Sequence, residues 1–256
     1  MTNGAQMQSV RYQIVDGVGV VTLSAPQRRN AFDLAMCDEV SETLDQLEAN
    51  PDVGALVVTG EGSAFCAGAD LSHLGGSEEA GLLAIYEGFL RFARSPLPTI
   101  AAVNGPAVGA GMNLALACDV RVAARSARFD TRFLQLGIHP GGGHTWMLQR
   151  IVGPQAARAM VLFGEVLDGE AAQQAGLVWK CVPDDELLEL ALTLGTRAAA
   201  APKELVVRTK VSLSDVAAIE HHDDAVKREL VDQAWSVRQP AFSEKLAAMA
   251  RSISSR

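Results

Sequence analysis

The stretch from Pro96 to Ala124, PLPTIAAVNGPAVGAGMNLALACDVRVAA, restricts the possible folds more than any other part of the chain. It predicts a buried strand over residues 99–103, a glycine-rich turn, an apolar helix over residues 112–117 and a second strand. Gly109 and Gly111 bracket the start of the helix, so backbone N–H groups without helical partners face a place where little side chain blocks approach. Such a helix terminus favours negative charge.

The chain before this stretch alternates strand and helix patterns. Residues 11–16 and 18–24 are rich in β-formers and meet at Asp16-Gly17, which predicts a hairpin. Asp33 is a candidate N-cap for a helix that ends before Pro51 and whose apolar residues recur at steps of three and four, namely Leu34, Cys37, Val40, Leu44 and Leu47. A buried strand over residues 55–59 and a helix over residues 78–93 complete this half.

The chain after this stretch predicts a helical tail behind an α/β core of βαβ crossovers. The glycines 141–143 after His139-Pro140 start a helix, and from Pro154 onward the patterns are helical. Leu187, Leu188, Ala191 and Leu194 form an amphipathic stripe, and a long helix is predicted over residues 215–237, stopped by Pro240. We place the core at residues 1–200 and the helical region at residues 201–256.

Composition and charge indicate a globular protein and argue against one class of function. The 256 residues are 48% hydrophobic and 20% charged, which suits a globular protein with a large aliphatic core. A formal charge of −8 argues against non-specific nucleic-acid binding, although local basic residues can still hold an anionic small molecule.

Cysteine usage and hydropathy indicate a cytoplasmic protein. Four widely spaced cysteines form no CxxC pair, and no histidine cluster has zinc-site spacing, so we expect neither disulfides nor a bound metal. The first ten residues lack the pattern of a secretory signal, and no segment is long and apolar enough to cross a membrane.

Two loops point to a specific chemistry. FCAGADL at residues 65–71 and the turn at residues 104–111 each follow a buried strand and each expose backbone beside small side chains. Together they can supply one N–H apiece to a carbonyl oxygen, which is the requirement of an oxyanion hole.

With PQRRNAFD near the start and GLVWKCVP and AFSEKL near the end, these loops closely resemble the crotonase family, the enoyl-CoA hydratase/isomerase superfamily. The resemblance covers nearly the whole chain. It implies an α/β fold built as a spiral of ββα units with a C-terminal helical region that assembles into trimers or dimers of trimers.

The resemblance also implies a ligand and its contacts. The substrate would be an acyl-CoA thioester, with no cofactor apart from the CoA of the substrate, and the shared chemistry stabilises a thioester enolate. Motif by motif, the oxyanion donors would be the backbone N–H groups of Ala69 and Ala110. The remaining substrate contacts would be Arg28, Arg29, Ala31, Ala67, Gly68, Asp70, Leu71, Gly109, Phe133 and, as a phosphate contact, Lys245.

The chain departs from the family at its acid/base positions. Hydratases of the family carry two glutamates, and some isomerases and dehalogenases use a third carboxylate. The corresponding residues here are Asn113, Phe133 and Gly141, none of which transfers a proton. Since a positioned acid or base contributes roughly 10²- to 10⁴-fold, these replacements predict slow or different chemistry.

Nearby residues are candidates to replace the carboxylates. His139 and His144 flank the glycine triplet, where either could carry a proton or form only structural hydrogen bonds. Asp130 could act as a base or cap the following segment. Asn113 could orient a water or a substrate carbonyl or simply lie on a helix surface. A nucleophilic Cys66 is disfavoured, because no base is adjacent in sequence.

Three functions follow from these patterns. The first is an enzyme of the enoyl-CoA hydratase/isomerase type that acts on acyl- or enoyl-CoA without the two-glutamate mechanism. The second is a non-catalytic acyl-CoA binding protein on the same scaffold. The third, an unrelated nucleotide-binding α/β protein, is disfavoured because no GxGxxG or GxxxxGK[ST] motif follows a strand.

Overall fold

The computed structural model describes residues 8–70 and 78–254. The chain divides into two compact units, Met1–Ala199 and Ala200–Arg256. Leu71, expected at the substrate site, lies outside the described residues.

The described strands are β1 Val10–Val15, β2 Val18–Leu23, β3 Ala55–Gly60, β4 Thr99–Val103, β5 Pro106–Val108, β6 Val120–Ala124, β7 Arg128–Asp130, β8 Leu167–Asp168 and β9 Lys180–Val182. The described helices are α1 Leu34–Ala49, α2 Glu78–Leu90, α3 Ala110–Ala117, α4 His144–Phe163, α5 Gly169–Gln174, α6 Leu187–Ala199, α7 Lys203–Val216, α8 His222–Ser236 and α9 Pro240–Ser254.

The first unit contains two sheets. The larger has the strand order β1-β2-β3-β4-β6-β9, and the smaller has the order β5-β7-β8. In the larger sheet β1 and β2 are antiparallel and every other neighbouring pair is parallel. This arrangement confirms the prediction of an α/β core followed by a helical region.

The hairpin between β1 and β2 forms where Asp16-Gly17 predicted it. Val15 pairs with Val18, and Asp16 and Gly17 have φ angles of 48° and 78°. Two successive positive φ angles are those of a type I′ turn, whose twist matches the strands it joins.

The core lies between the larger sheet and α6. Val18, Val20, Val57, Ile100 and Val122 are buried against Leu187 and Ala191 of α6. Strands covered on both faces read as continuous apolar runs rather than alternating ones, which is the pattern seen in β3 and β4.

Helix α1 starts at the predicted cap. The Asp33 carboxylate accepts the Met36 N–H at 2.8 Å. One member of the predicted apolar stripe is wrong, because Leu34 is exposed while Met36 and Thr43 are buried with the rest of the face. Leu34 is the first residue of α1 and precedes the packed face, which begins at Met36, so periodicity alone misplaces it.

Two other predictions need correction. The glycine-rich turn contains the short strand β5, and α3 begins at Ala110, two residues before the predicted start. The region from Pro154 onward is not wholly helical, because β9 adds an edge strand to the larger sheet, pairing Lys180 with Val122. A three-residue strand shows too little periodicity to detect.

The C-terminal unit consists of α7, α8 and α9. The long helix predicted over residues 215–237 is wrong, since α7 ends at Val216 and α8 begins at His222. Asp223 and Asp224 lie in the first turn of α8, where acidic residues favour a helix start. Pro240 begins α9 instead of only ending the preceding helix, as proline suits the first helical position.

Within the described residues, no helix is long and apolar enough to cross a membrane.

Candidate active site

The two predicted loops lie side by side in the first unit. The Cys66 N–H donates to the Pro106 carbonyl at 3.1 Å, and the Val108 N–H donates to the Cys66 carbonyl at 3.0 Å. This parallel bridge brings the loop after β3 alongside the glycine-rich turn.

Two glycines permit this approach. A Cβ on Gly111 would overlap the Cys66 carbonyl oxygen. Gly68 has a φ of +117°, and a Cβ there would lie 3.2 Å from the Val108 carbonyl oxygen. A larger residue at either position would push the loops apart or strain the backbone.

The Ala69 N–H takes no part in the hydrogen bonds that fix its loop. Phe32 donates its N–H to the Gly68 carbonyl at 2.8 Å and accepts the Asp70 N–H at 2.7 Å. No acceptor for the intervening Ala69 N–H is found among the described residues.

Ala110 presents a comparable donor at the start of α3. Gly109 has a φ of 52°, and its own N–H donates to the Asp130 carbonyl at 3.0 Å. The first bond of the helix runs from the Asn113 N–H to the Gly109 carbonyl, so the Ala110 N–H has no intrahelical acceptor. The rest of the described chain offers it none either.

Two asparagines that sequence analysis missed hold the loops, Asn30, which is buried, and Asn104, which is partly exposed. The Asn30 side chain accepts the Ala25 N–H at 2.9 Å and donates to the carbonyls of Glu61 and Ala64 at 3.0 and 2.8 Å. Asn104 accepts the Gly60 N–H and donates to the Gly60 carbonyl. Asn30 lies in the motif PQRRNAFD, and Asn104 lies in the turn at residues 104–111. This position beside residues expected at the site was the sequence signal that could have identified them.

The segment expected to contact CoA lies beside the first loop. The Ala67 N–H donates to the Arg29 carbonyl at 2.9 Å, and the Ala31 N–H donates to the Arg28 carbonyl at 3.1 Å. The Arg28 guanidinium donates to the Asp33 carboxylate, whereas the Arg29 side chain is exposed. Burial acts to raise the pKa of Asp33, but the bonds from Arg28 and the Met36 N–H outweigh it and lower the pKa.

Asn113 and His144 form a buried pair. Both are 1% exposed, and His144 Nδ1 lies 2.6 Å from Asn113 Oδ1. The Asn113 Nδ2 donates to the Gly141 carbonyl at 3.0 Å, which turns Oδ1 toward the imidazole. The buried position of Asn113 excludes a simple helix-surface role.

The hydrogen bonds determine the protonation of His144. An amide oxygen only accepts, so Nδ1 carries the proton and Nε2 carries a lone pair. Nε2 is buried, and no described residue forms a hydrogen bond with it. Burial lowers the pKa of His144 to about 4, so the ring is neutral at physiological pH.

An aromatic ring and a phenolic hydroxyl lie at Phe133 and beside Gly141. The Phe133 ring lies edge-on to His144, with ring centroids 4.9 Å apart, and a Cβ on Gly109 would lie 3.9 Å from its Cζ. A Cβ on Gly141 would overlap the hydroxyl of Tyr86, a residue of α2 that sequence analysis missed. Tyr86 stacks obliquely on Phe89, and its spacing of three residues from Phe89 places both on one helix face.

The remaining predicted residues lie elsewhere or have other partners. His139 is exposed, and its Nδ1 lies 2.7 Å from the Pro140 carbonyl. Asp130 is buried but pairs with Arg132. Cys66 is buried, and burial raises the pKa of its thiol to about 12, which leaves it unreactive. Lys245 is an exposed residue of the C-terminal unit.

No group of three or more histidine, cysteine or acidic side chains within the described ranges can hold a metal ion.

The fold and the paired loops place the chain in a structural class. An enoyl-CoA hydratase from Bacillus anthracis superposes with a TM-score of 0.90 at 28% identity, over 96% of this chain and 97% of that one. Pseudomonas aeruginosa PA4980 superposes with a TM-score of 0.81 at 34% identity, over 88% of this chain and 99% of that one. The fold is therefore the crotonase fold, as the resemblance implied.

Residues 13–236 match the model of the enoyl-CoA hydratase/isomerase family, and the chain belongs to that family, which acts on CoA thioesters. "Probable enoyl-CoA hydratase EchA14" of Mycobacterium tuberculosis is 47% identical over 95% of this chain and 98% of its own length. The 1,2-epoxyphenylacetyl-CoA isomerase of Escherichia coli is 37% identical over 77% of this chain and 78% of its own.

Proposed function

We propose that this protein is an enzyme that binds an acyl- or enoyl-CoA thioester and stabilises a thioester enolate with the backbone N–H groups of Ala69 and Ala110. The supporting observation is that these two donors lie on loops joined by backbone hydrogen bonds and have no acceptor within the described chain. Fixed donors in a shielded site stabilise developing negative charge without reorganising, which contributes roughly 10²- to 10³-fold per donor.

The reaction is not the two-glutamate hydration. Asn113, Phe133 and Gly141 replace the carboxylates, and Phe133 makes the wall beside Gly109 apolar, as suits an acyl chain. These replacements also support a second candidate function, a non-catalytic acyl-CoA binding protein on the same scaffold.

The substitution Ala110→Pro tests the oxyanion assignment. Ala110 is the first residue of α3, a position where proline preserves the helix while removing the N–H. Gly109 precedes it with φ 52° and ψ −112°. This is the mirror image of the extended conformation that a residue before proline requires, and glycine adopts it because it has no Cβ. Ala110→Gly, which keeps the N–H, is the matched control.

We expect Ala110→Pro to weaken butyryl-CoA binding and to lower any turnover by at least about 10²-fold, with Ala110→Gly close to the parent. Calorimetric titration with butyryl-CoA and with free CoA gives the thioester contribution. If folded Ala110→Pro retains full thioester affinity and turnover, Ala110 is not an oxyanion donor. Tight binding of crotonyl-CoA and longer enoyl-CoAs without loss of conjugated absorbance would favour the binding-protein alternative.

We also propose a homotrimer or a dimer of trimers. Trp146, Leu162 and Phe163 of α4 are 60%, 59% and 84% exposed, which is unusual for large apolar side chains unless another surface covers them. Phe163→Glu should lower the mass measured by sedimentation, whereas an unchanged mass would exclude that surface. The four free cysteines support a reducing, cytoplasmic location.

A further inference from the structure

The Asn113–His144 pair has a feature that structural packing alone does not require. A buried histidine that only fills space satisfies both ring nitrogens or exposes one to water. Here Nδ1 is bound to Asn113, while Nε2 is buried without a partner in the described chain. Leaving a buried acceptor without a hydrogen bond is unfavourable, and a functional role would explain why it is kept.

We infer that His144 carries protons to and from the acyl group through Nε2, and that Asn113 is its positioning residue. This inference rests on the proposed enolate chemistry and supplies the proton carrier missing from it.

The placement of the pair supports this role. Asn113 follows Ala110 by one helical turn, so both lie on the same face of α3. The Phe133 ring contacts His144, and the same ring lies next to Gly109, the residue before Ala110. His144 is thus one ring away from the backbone turn that presents the Ala110 N–H.

Asn113 fixes the form of the imidazole that this role needs. The Asn113 amide N–H donates to the Gly141 carbonyl, and the amide oxygen accepts a hydrogen bond from the Nδ1–H of His144. The lone pair is therefore on Nε2, as in histidine bases whose second nitrogen is held by an acceptor. An asparagine does this without adding the negative charge that a carboxylate would bring.

The step balances as a proton transfer. The Nε2 lone pair forms an N–H bond with a hydrogen of the α-carbon, and the C–H electron pair becomes the Cα–C1 π bond. The carbonyl π pair moves to the thioester oxygen, where the Ala69 and Ala110 N–H groups stabilise it. The imidazolium then returns a proton to the carbon skeleton, and the carbonyl re-forms.

The titratable groups on the neighbouring elements are a phenol and a carboxylate that has its own partner. Tyr86 of α2 lies beside Gly141, and Asp130 of β7 is paired with Arg132. The lowered pKa of His144 is due to burial alone, so a neighbouring enolate is the negative charge that would stabilise the imidazolium.

Exchange of the α-hydrogens of butyryl-CoA in D2O, followed by mass spectrometry over hours, tests the inference. We expect the parent to exchange and His144→Gln to be slower by at least about 10²-fold with unchanged Kd for butyryl-CoA. His144→Ala should regain rate with added imidazole. The matched control is His222→Gln in α8, where the histidine side chain is 90% exposed.

Asn113 needs a measurement that a structural role would not affect. Asn113→Ala should slow exchange about tenfold or more, because the tautomer is no longer fixed. Asn113→Asp should restore much of the rate and move the acid limb of the pH–rate profile to higher pH, since an adjacent carboxylate raises the pKa of the imidazole.

The outcomes separate this inference from the proposed function. Exchange by the parent that persists within threefold in His144→Gln, or that is lost instead in His139→Gln, would overturn the inference and leave the enolate chemistry standing. A parent that binds butyryl-CoA without any exchange would also overturn it. A parent that binds no CoA thioester would contradict the proposed function itself.

Discussion

The buried neutral state of His144 predicts a measurable dependence of folding stability on pH. His144 is 1% exposed, and burial lowers its pKa to about 4 from the ordinary histidine value of 6.5. Below the unfolded pKa the unfolded chain binds a proton that the folded chain excludes. The contribution of neutral His144 to the unfolding free energy is therefore fully present above pH 6.5 and is lost as the pH falls toward 4. Below pH 4 this contribution does not change further.

The magnitude follows from the two pKa values. Each unit of difference corresponds to about 1.36 kcal/mol, so the limit is about 3 kcal/mol. Between pH 7.5 and pH 5.5 the loss is about 1.3 kcal/mol, and by pH 4.5 it is about 2.5 kcal/mol.

His144→Gln isolates this contribution, because glutamine can still donate to Asn113 and carries no charge at any pH in the range. Urea unfolding of parent and variant at pH 7.5, 5.5 and 4.5, at one protein concentration, gives the difference in unfolding free energy at each pH. The unfolding free energy of the parent should fall relative to that of the variant as the pH falls. A difference that stays constant across this range would show that His144 is accessible or charged in the folded protein.

Two substitutions test how the paired loops are held. Gly111→Ala places a Cβ on the Cys66 carbonyl oxygen, so it should destabilise the protein by about 1–3 kcal/mol in urea unfolding and weaken butyryl-CoA binding. Unchanged affinity for butyryl-CoA would contradict the packing of the two loops. Asn30→Ala leaves the backbone groups that the amide binds without partners and should lower the free energy of unfolding by about 3 kcal/mol. The control Gln27→Ala, at an exposed neighbouring position, should lower it by less than about 0.5 kcal/mol. Equal effects of the last two changes would show that the Asn30 bonds are unimportant.

Sequence patterns predicted the elements with strong periodicity or distinctive turns. Asp16-Gly17 and Asp33 act through local backbone chemistry, so the hairpin and the start of α1 are confirmed where they were predicted. The α7–α8 break has no glycine or proline, and β9 is three residues long, so both depend on tertiary contacts that a local pattern does not show.

The candidate site shows the same limit. The two loops were identified from small residues after buried strands, but their pairing through Cys66 and Ala107 is a long-range contact. Asn113 was named for its position along the chain, while its bond to His144 joins residues 31 apart. Tyr86 was missed because its position beside Gly141 depends on how α2 packs, which sequence spacing does not determine.

The vibrational frequency of the thioester carbonyl tests the central claim most directly, because it reports on the bound oxygen independently of turnover. Butyryl-CoA labelled with 13C at the carbonyl is bound to the parent, to Ala110→Gly and to Ala110→Pro, and the isotope-edited infrared difference spectrum is recorded at saturation. Two N–H donors withdraw electron density from the carbonyl, so its stretch should move to lower frequency in the parent and in Ala110→Gly and return toward the solution value in Ala110→Pro. An unshifted carbonyl in the saturated parent would contradict the assignment of Ala69 and Ala110 as an oxyanion hole.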